Sequence, residues 1–155
     1  MNELSRFVRL LSYNFNKNDK FITLIEDSIK IRLSHAIKSG EPLNVSLDGM
    51  LALTEGLSVL AIRRPRMLTL LKRILLEEQS ANAHSTMLCQ SPKLFLQTAS
   101  LLSDYDTTTT GKLSTLFERA LLEVHLPSEA FSVTELSHLS LCAGVLSPAS
   151  MEAID

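Results

Sequence analysis

One pattern constrains this chain more than any other: an amphipathic helical layout that returns at a fixed step. The strings Lys20-Phe21-Ile22-Thr23-Leu24-Ile25, Arg66-Met67-Leu68-Thr69-Leu70-Leu71 and Lys112-Leu113-Ser114-Thr115-Leu116-Phe117 begin 46 residues apart both times. A partial copy, Ser150-Met151-Glu152-Ala153-Ile154-Asp155, follows 38 residues after the third. Each string is preceded by another apolar stripe at helical spacing, so the unit is a polar start, a helix, a short loop and a second helix. One helix pair cannot bury its apolar stripe alone, whereas stacked pairs bury a continuous core. The period therefore predicts an all-α solenoid of antiparallel helix pairs, about 3.5 repeats of roughly 40–46 residues, curving right-handed over about seven or eight helices.

The repeats read as 2–40, 43–84, 91–126 and a partial 131–155. In the first, a helix over 3–15 carries Leu4, Phe7, Val8, Leu11 and Phe15. A second over 20–35 carries Phe21, Leu24, Ile25, Ile29, Ile31 and Leu33, and Gly40 followed by Pro42 marks its end. In the second repeat Ser46 is a plausible N-cap with Asp48 in the first turn. Arg63-Arg64-Pro65 is the loop, and its second helix ends near Glu78, followed by a polar, irregular stretch over 79–84. Ser91-Pro92 opens the third repeat, whose second helix is expected over 112–124 after a low-complexity loop containing four threonines at 107–110. Ser132-Val133-Thr134-Glu135 is a capping box opening the fourth, and Ser147-Pro148 starts a last helix that breaks off at Asp155. So short an amphipathic fragment cannot bury its face, so we expect these residues to be part of a longer solenoid.

Composition fits this reading. Apolar residues make up 45% of 155 residues, aromatics only 5%, and there is no Trp. The core must be built from Leu, Ile, Val, Ala and Met, a helix-friendly set, and five Gly with five Pro are too few for a turn-rich β design. The two cysteines, Cys89 and Cys142, imply no disulfide framework and fit a reducing compartment. No apolar run reaches the roughly 18 residues of a membrane span. The segment 1–15, with Arg6 and Arg9, has the amphipathic look of a transit peptide, but it also carries Glu3 and fits the first helix of the first repeat.

The sequence carries no Gly-rich phosphate loop, no G-x-S-x-G elbow and no H-E-x-x-H. The four histidines, at 35, 84, 125 and 138, lack zinc spacing, and Cys89 has no nearby Cys partner. No catalytic residue, cofactor or metal is indicated, and Glu77-Glu78 reads as a solvated helix end. The basic residues carry the stronger signal. Arg63, Arg64, Arg66, Lys72 and Arg73 crowd together, and Arg66 and Arg73 share a helix face. Such a cluster can hold phosphates. It can equally be a solvated surface in which Arg73 or Lys72 pairs with Glu77 or Glu78. Lys20, Arg66 and Lys112 occupy the same repeat position, and equivalent positions stack in a solenoid, so three cations in one column suit a line of phosphates. Ser150 breaks the column, and the net charge of −2 with a pI of about 6.1 means that any nucleic-acid contact rests on a local patch or on a larger assembly that supplies the rest.

The segments 131–146 (FSVTELSHLSLCAGVL) and 43–53 (LNVSLDGMLAL) resemble the helical repeats of organellar RNA-binding proteins, the FAST kinase-like, octotricopeptide and heptatricopeptide group. The resemblance implies a non-catalytic RNA-binding segment in the mitochondrial matrix. Its expected setting is a ribonucleoprotein such as a mitochondrial ribosome or an RNA-processing complex. Lys20, Arg63, Arg64, Arg66, Lys72, Arg73 and Lys112 would contact the RNA backbone, and other protein subunits would be partners. A similar pattern is also produced by HEAT- or armadillo-type scaffolds, which would make the chain a protein-interaction module.

Overall fold

The computed structural model describes residues 1–15, 17–103, 115–117, 132–134 and 137. These residues are mostly helical and contain no strand. The helices whose full span lies among the described residues are, in order, α1 (Asn2–Phe15), α2 (Asp19–Ser39), α3 (Leu47–Ala61), α4 (Arg66–Leu75), α5 (Ala81–Gln90) and α6 (Pro92–Ser103). The chain forms two compact units, Met1–Ser80 and Ala81–Asp155.

In the first unit, α1 packs most extensively on α3, α3 on α4, and α2 on both α4 and α1. The interior is aliphatic, with Ile22, Ile29, Met50, Leu53, Leu57 and Leu71 all fully or almost fully buried. The local signals act as the sequence suggests. Asn18 caps α2 by accepting from Lys20 N at 3.1 Å, and Gly40 closes it in the left-handed region at φ 66°. That stop lets α2 run to Ser39, further than the apolar stripe alone marks. Ser46 caps α3 by accepting from Gly49 N at 3.1 Å. Asn2 Oδ1 accepts from Ser46 N at 2.7 Å and joins the start of α1 to that cap.

The close contact of α1 and α3 has a specific cause. Gly56 faces Val8 and the backbone of Arg9, where a Cβ would lie 2.8 Å from Val8 Cγ1 and 2.9 Å from Arg9 N. Only a residue without a side chain lets the two helices come this near. The segment 1–15, with its transit-peptide look, thus packs as a helix on α3 through Ser5, Val8, Leu11 and Ser12, all buried.

The end of α4 differs from the sequence reading. The helix stops at Leu75 rather than near Glu78, and Glu77 is buried rather than solvated. Its carboxylate accepts from Gln79 N at 3.1 Å and from Ser80 Oγ at 2.6 Å, while Ser80 Oγ accepts from Leu43 N at 2.7 Å. A side chain that satisfies the backbone just beyond it ends the helix by competing with the helical ladder. The same hydroxyl ties the linker before α3 to the end of α4.

In the second unit α5 packs on α6. This helix is absent from the sequence reading, which takes 79–84 as irregular. It forms because His84, Ser85 and Leu88 face inward, so burial outweighs weak propensity. Ser91 caps α6, accepting from Leu94 N at 3.2 Å with Pro92 in the first turn. Phe95 meets Phe117 edge to face, with ring centroids 5.1 Å apart. The residues expected in a helix over 112–124 lie mostly outside the described ones, with Thr115, Leu116 and Phe117 helical. Ser132 precedes helical Val133 and Thr134, and Glu135 of the capping box is outside them. The four-threonine loop and the partial copy from Ser150 also lie outside them.

Candidate functional site

The turn between α3 and α4 gathers three of the expected cations. Arg63 and Arg64 follow the end of α3, where both amides donate to Leu60 O, and Arg66 opens α4. Pro65 fixes this turn and offers no side-chain cap. Opposite lies one face of α2, formed by Asp19, Thr23, Glu26 and Lys30. Their spacing of four, three and four residues aligns them along a helix.

Glu26 is the centre. Its side chain is only 3% exposed, although it carries a charge. Lys30 Nζ donates to its Oε1. Oε2 is held by charge rather than by a well-aligned hydrogen bond, with Arg66 Nε at 3.1 Å and Arg64 Nη1 at 3.5 Å. Arg64 Nη1 also donates to Thr23 Oγ1 at 2.9 Å. Asp19 lies 3.9 Å from both Arg63 and Arg64. Burial works to raise the Glu26 pKa. The Lys30 hydrogen bond and the charges of Lys30, Arg66 and Arg64 outweigh it and hold the carboxyl below its ordinary value.

The pairs differ in worth. Asp19 is 67% exposed, so its contacts at 3.9 Å contribute little, on the order of 0–1 kcal/mol. The Glu26 contacts matter more, because a buried carboxylate without its cations would stand uncompensated. Four cations, Lys30, Arg63, Arg64 and Arg66, gather around Asp19 and Glu26 here. The Arg66 side chain remains 62% exposed while its Nε faces Glu26.

The other expected residues are distributed more widely. Lys20 is exposed in the first turn of α2, and Arg66 stands at the matching start of α4, which packs on α2. Arg73 is exposed on α4, whereas Lys72 is buried at 8% exposure. Lys112 lies outside the described residues. Arg63, Arg64 and Arg66 pair with Asp19 and Glu26 on α2, and Glu77 accepts from Gln79 and Ser80.

Sequence reasoning missed Asp19, Thr23, Glu26 and Lys30. Glu26 was findable, because it follows Ile25 and precedes Ile29 on the buried side of α2, and a charge there requires partners. Among the described residues, no three His, Cys, Asp or Glu side chains converge to hold a metal ion. No described helix is long and apolar enough to cross a membrane. No protein-family model, curated protein or solved structure matches this chain.

Proposed function

We propose that this chain is a non-catalytic helical-repeat segment that binds the phosphate backbone of RNA, as a component of a mitochondrial ribonucleoprotein. The observation that carries the reading is the gathering of Arg63, Arg64 and Arg66 at the α3–α4 turn, with the Arg66 side chain 62% exposed and Lys20 exposed on the first turn of α2. The packing pattern supports the repeat architecture behind it. First helices meet (α1 on α3), second helices meet (α2 on α4), and the pairs α1–α2 and α3–α4 also touch. Such contacts are those that stacked helix pairs make, and in a stack of that kind equivalent positions form columns.

The test is a filter-binding titration of single-stranded RNA across salt. Arg64 and Arg66 also hold Glu26, so the variants should be Lys20→Glu and Arg63→Glu, with circular dichroism as the folding control. Each lost phosphate contact should lower affinity and flatten the salt slope by about 0.7. Unchanged affinity and slope in the doubly reversed chain would rule out this patch.

A protein-interaction scaffold is the second reading. Leu24, Ile31 and Ile37 favour it, because α2 exposes each of them by more than half. An association that survives nuclease treatment supports that reading over RNA.

A further inference from the structure

Helix α1 is amphipathic on one side and apolar again on the other. Ser5, Val8, Leu11 and Ser12 are buried towards α3. On the opposite side Phe7, Leu10 and Tyr13 are 48%, 61% and 61% exposed. At 3.6 residues per turn these three lie within roughly a third of the helix circumference, centred on Leu10. Single exposed apolar residues are ordinary, but three large ones on one stripe form a patch. The fold of the first unit does not use it, because α1 already packs on α3 through its other side.

The charges around this patch select its occupant. Glu3 lies at one end of the stripe and Lys17 lies in the turn just beyond the other, and both are exposed. Each stands seven residues from Leu10 along the chain, Phe7 and Tyr13 stand three away, and Arg6 and Asn14 stand four away. A stripe with this symmetry is its own complement under a two-fold axis through Leu10. Phe7 then meets the Tyr13 position of a second copy, and Glu3 meets a Lys17 position at each end. A parallel pairing would instead set Glu3 against Glu3, Arg6 against Arg6 and Lys17 against Lys17, which repel.

We propose that the outer face of α1 is an isologous interface through which two copies of this chain associate, with their α1 helices antiparallel and Leu10 on the two-fold axis. The proposal is independent of the RNA reading, because it uses none of the arginines at the α3–α4 turn.

Sedimentation equilibrium of the whole chain over a range of concentrations tests it. The native chain should show a monomer–dimer equilibrium. Leu10→Asp should weaken it at least about tenfold, a change of roughly 1.4 kcal/mol, because it places two like charges at the axis. Glu3→Lys and Lys17→Glu should each weaken it, and the chain carrying both changes should recover native association. These positions are exposed, so helical circular dichroism should be unchanged in every variant. A native chain that stays monomeric at the highest soluble concentration overturns the proposal, also when it binds vesicles of anionic phospholipid through this face. A doubly reversed chain that fails to recover overturns the antiparallel register and the proposal with it.

Discussion

A carboxylate on the inner side of α2 organises the charged cluster at the α3–α4 turn. Glu26 is nearly inaccessible, and Lys30, Arg64 and Arg66 keep it ionised. Because its folded pKa is lowered below the ordinary 4.5, it stabilises the fold above that pH. The contribution is lost as pH falls through the folded value. Acid titration of the unfolding free energy should therefore show a decline below pH 4.5 that the Glu26→Gln variant lacks. At neutral pH the same variant should lose about 1–3 kcal/mol in urea unfolding. That is less than for a fully enclosed pair, since Arg66 can turn to water. Equal stability of the two proteins at pH 7 would show that the cluster does not hold α2 to α4.

At the level of helices, fit and capping explain more than propensity. Gly56 lets α1 and α3 approach, and the atoms it faces include backbone of Arg9, which cannot swing aside. Gly56→Ala should gain up to about 1 kcal/mol of helix propensity. It should lose about 1–3 kcal/mol to overpacking, so thermal unfolding should shift downward. A raised Tm would mean that α1 moves away without penalty. Ser80 joins two elements, donating to Glu77 and accepting from Leu43 N. Ser80→Ala leaves both groups short of a partner in a buried place and should cost roughly 1–3 kcal/mol by denaturant unfolding. Helix α5 is the opposite lesson, because its polar sequence gains helicity from an inward face that only packing creates.

For the whole molecule, the division at Ser80 is the main architectural fact. The first unit holds four helices and an aliphatic core with buried residues from α1, α2, α3 and α4. Its size is within the range in which a single core can sustain folding. The fragment 1–80 should therefore fold alone, with a helical circular dichroism spectrum and a cooperative thermal transition. A coil spectrum for that fragment would show that its stability depends on residues beyond Ser80. Lys20 and the arginines of the α3–α4 turn also belong to this unit, so the fragment should retain any RNA affinity lost in Lys20→Glu and Arg63→Glu.

The sequence by itself determined the helical class, the approximate starts of α1 to α4 and the caps at Ser46 and Ser91. These depend on periodicity and on hydrogen bonds within a few residues. Gly40 was equally legible as a stop, because a left-handed residue ends a helix wherever it stands. Only the tertiary structure decided what the cations do. The spacing of Arg63, Arg64 and Arg66 is a local fact, but Asp19 and Glu26 reach them from about forty residues away in the chain. Burial of Glu77 and formation of α5 were likewise decided by packing, which a periodic pattern does not specify. A charge's partner depends on which faces meet, and a periodic pattern says only that faces exist.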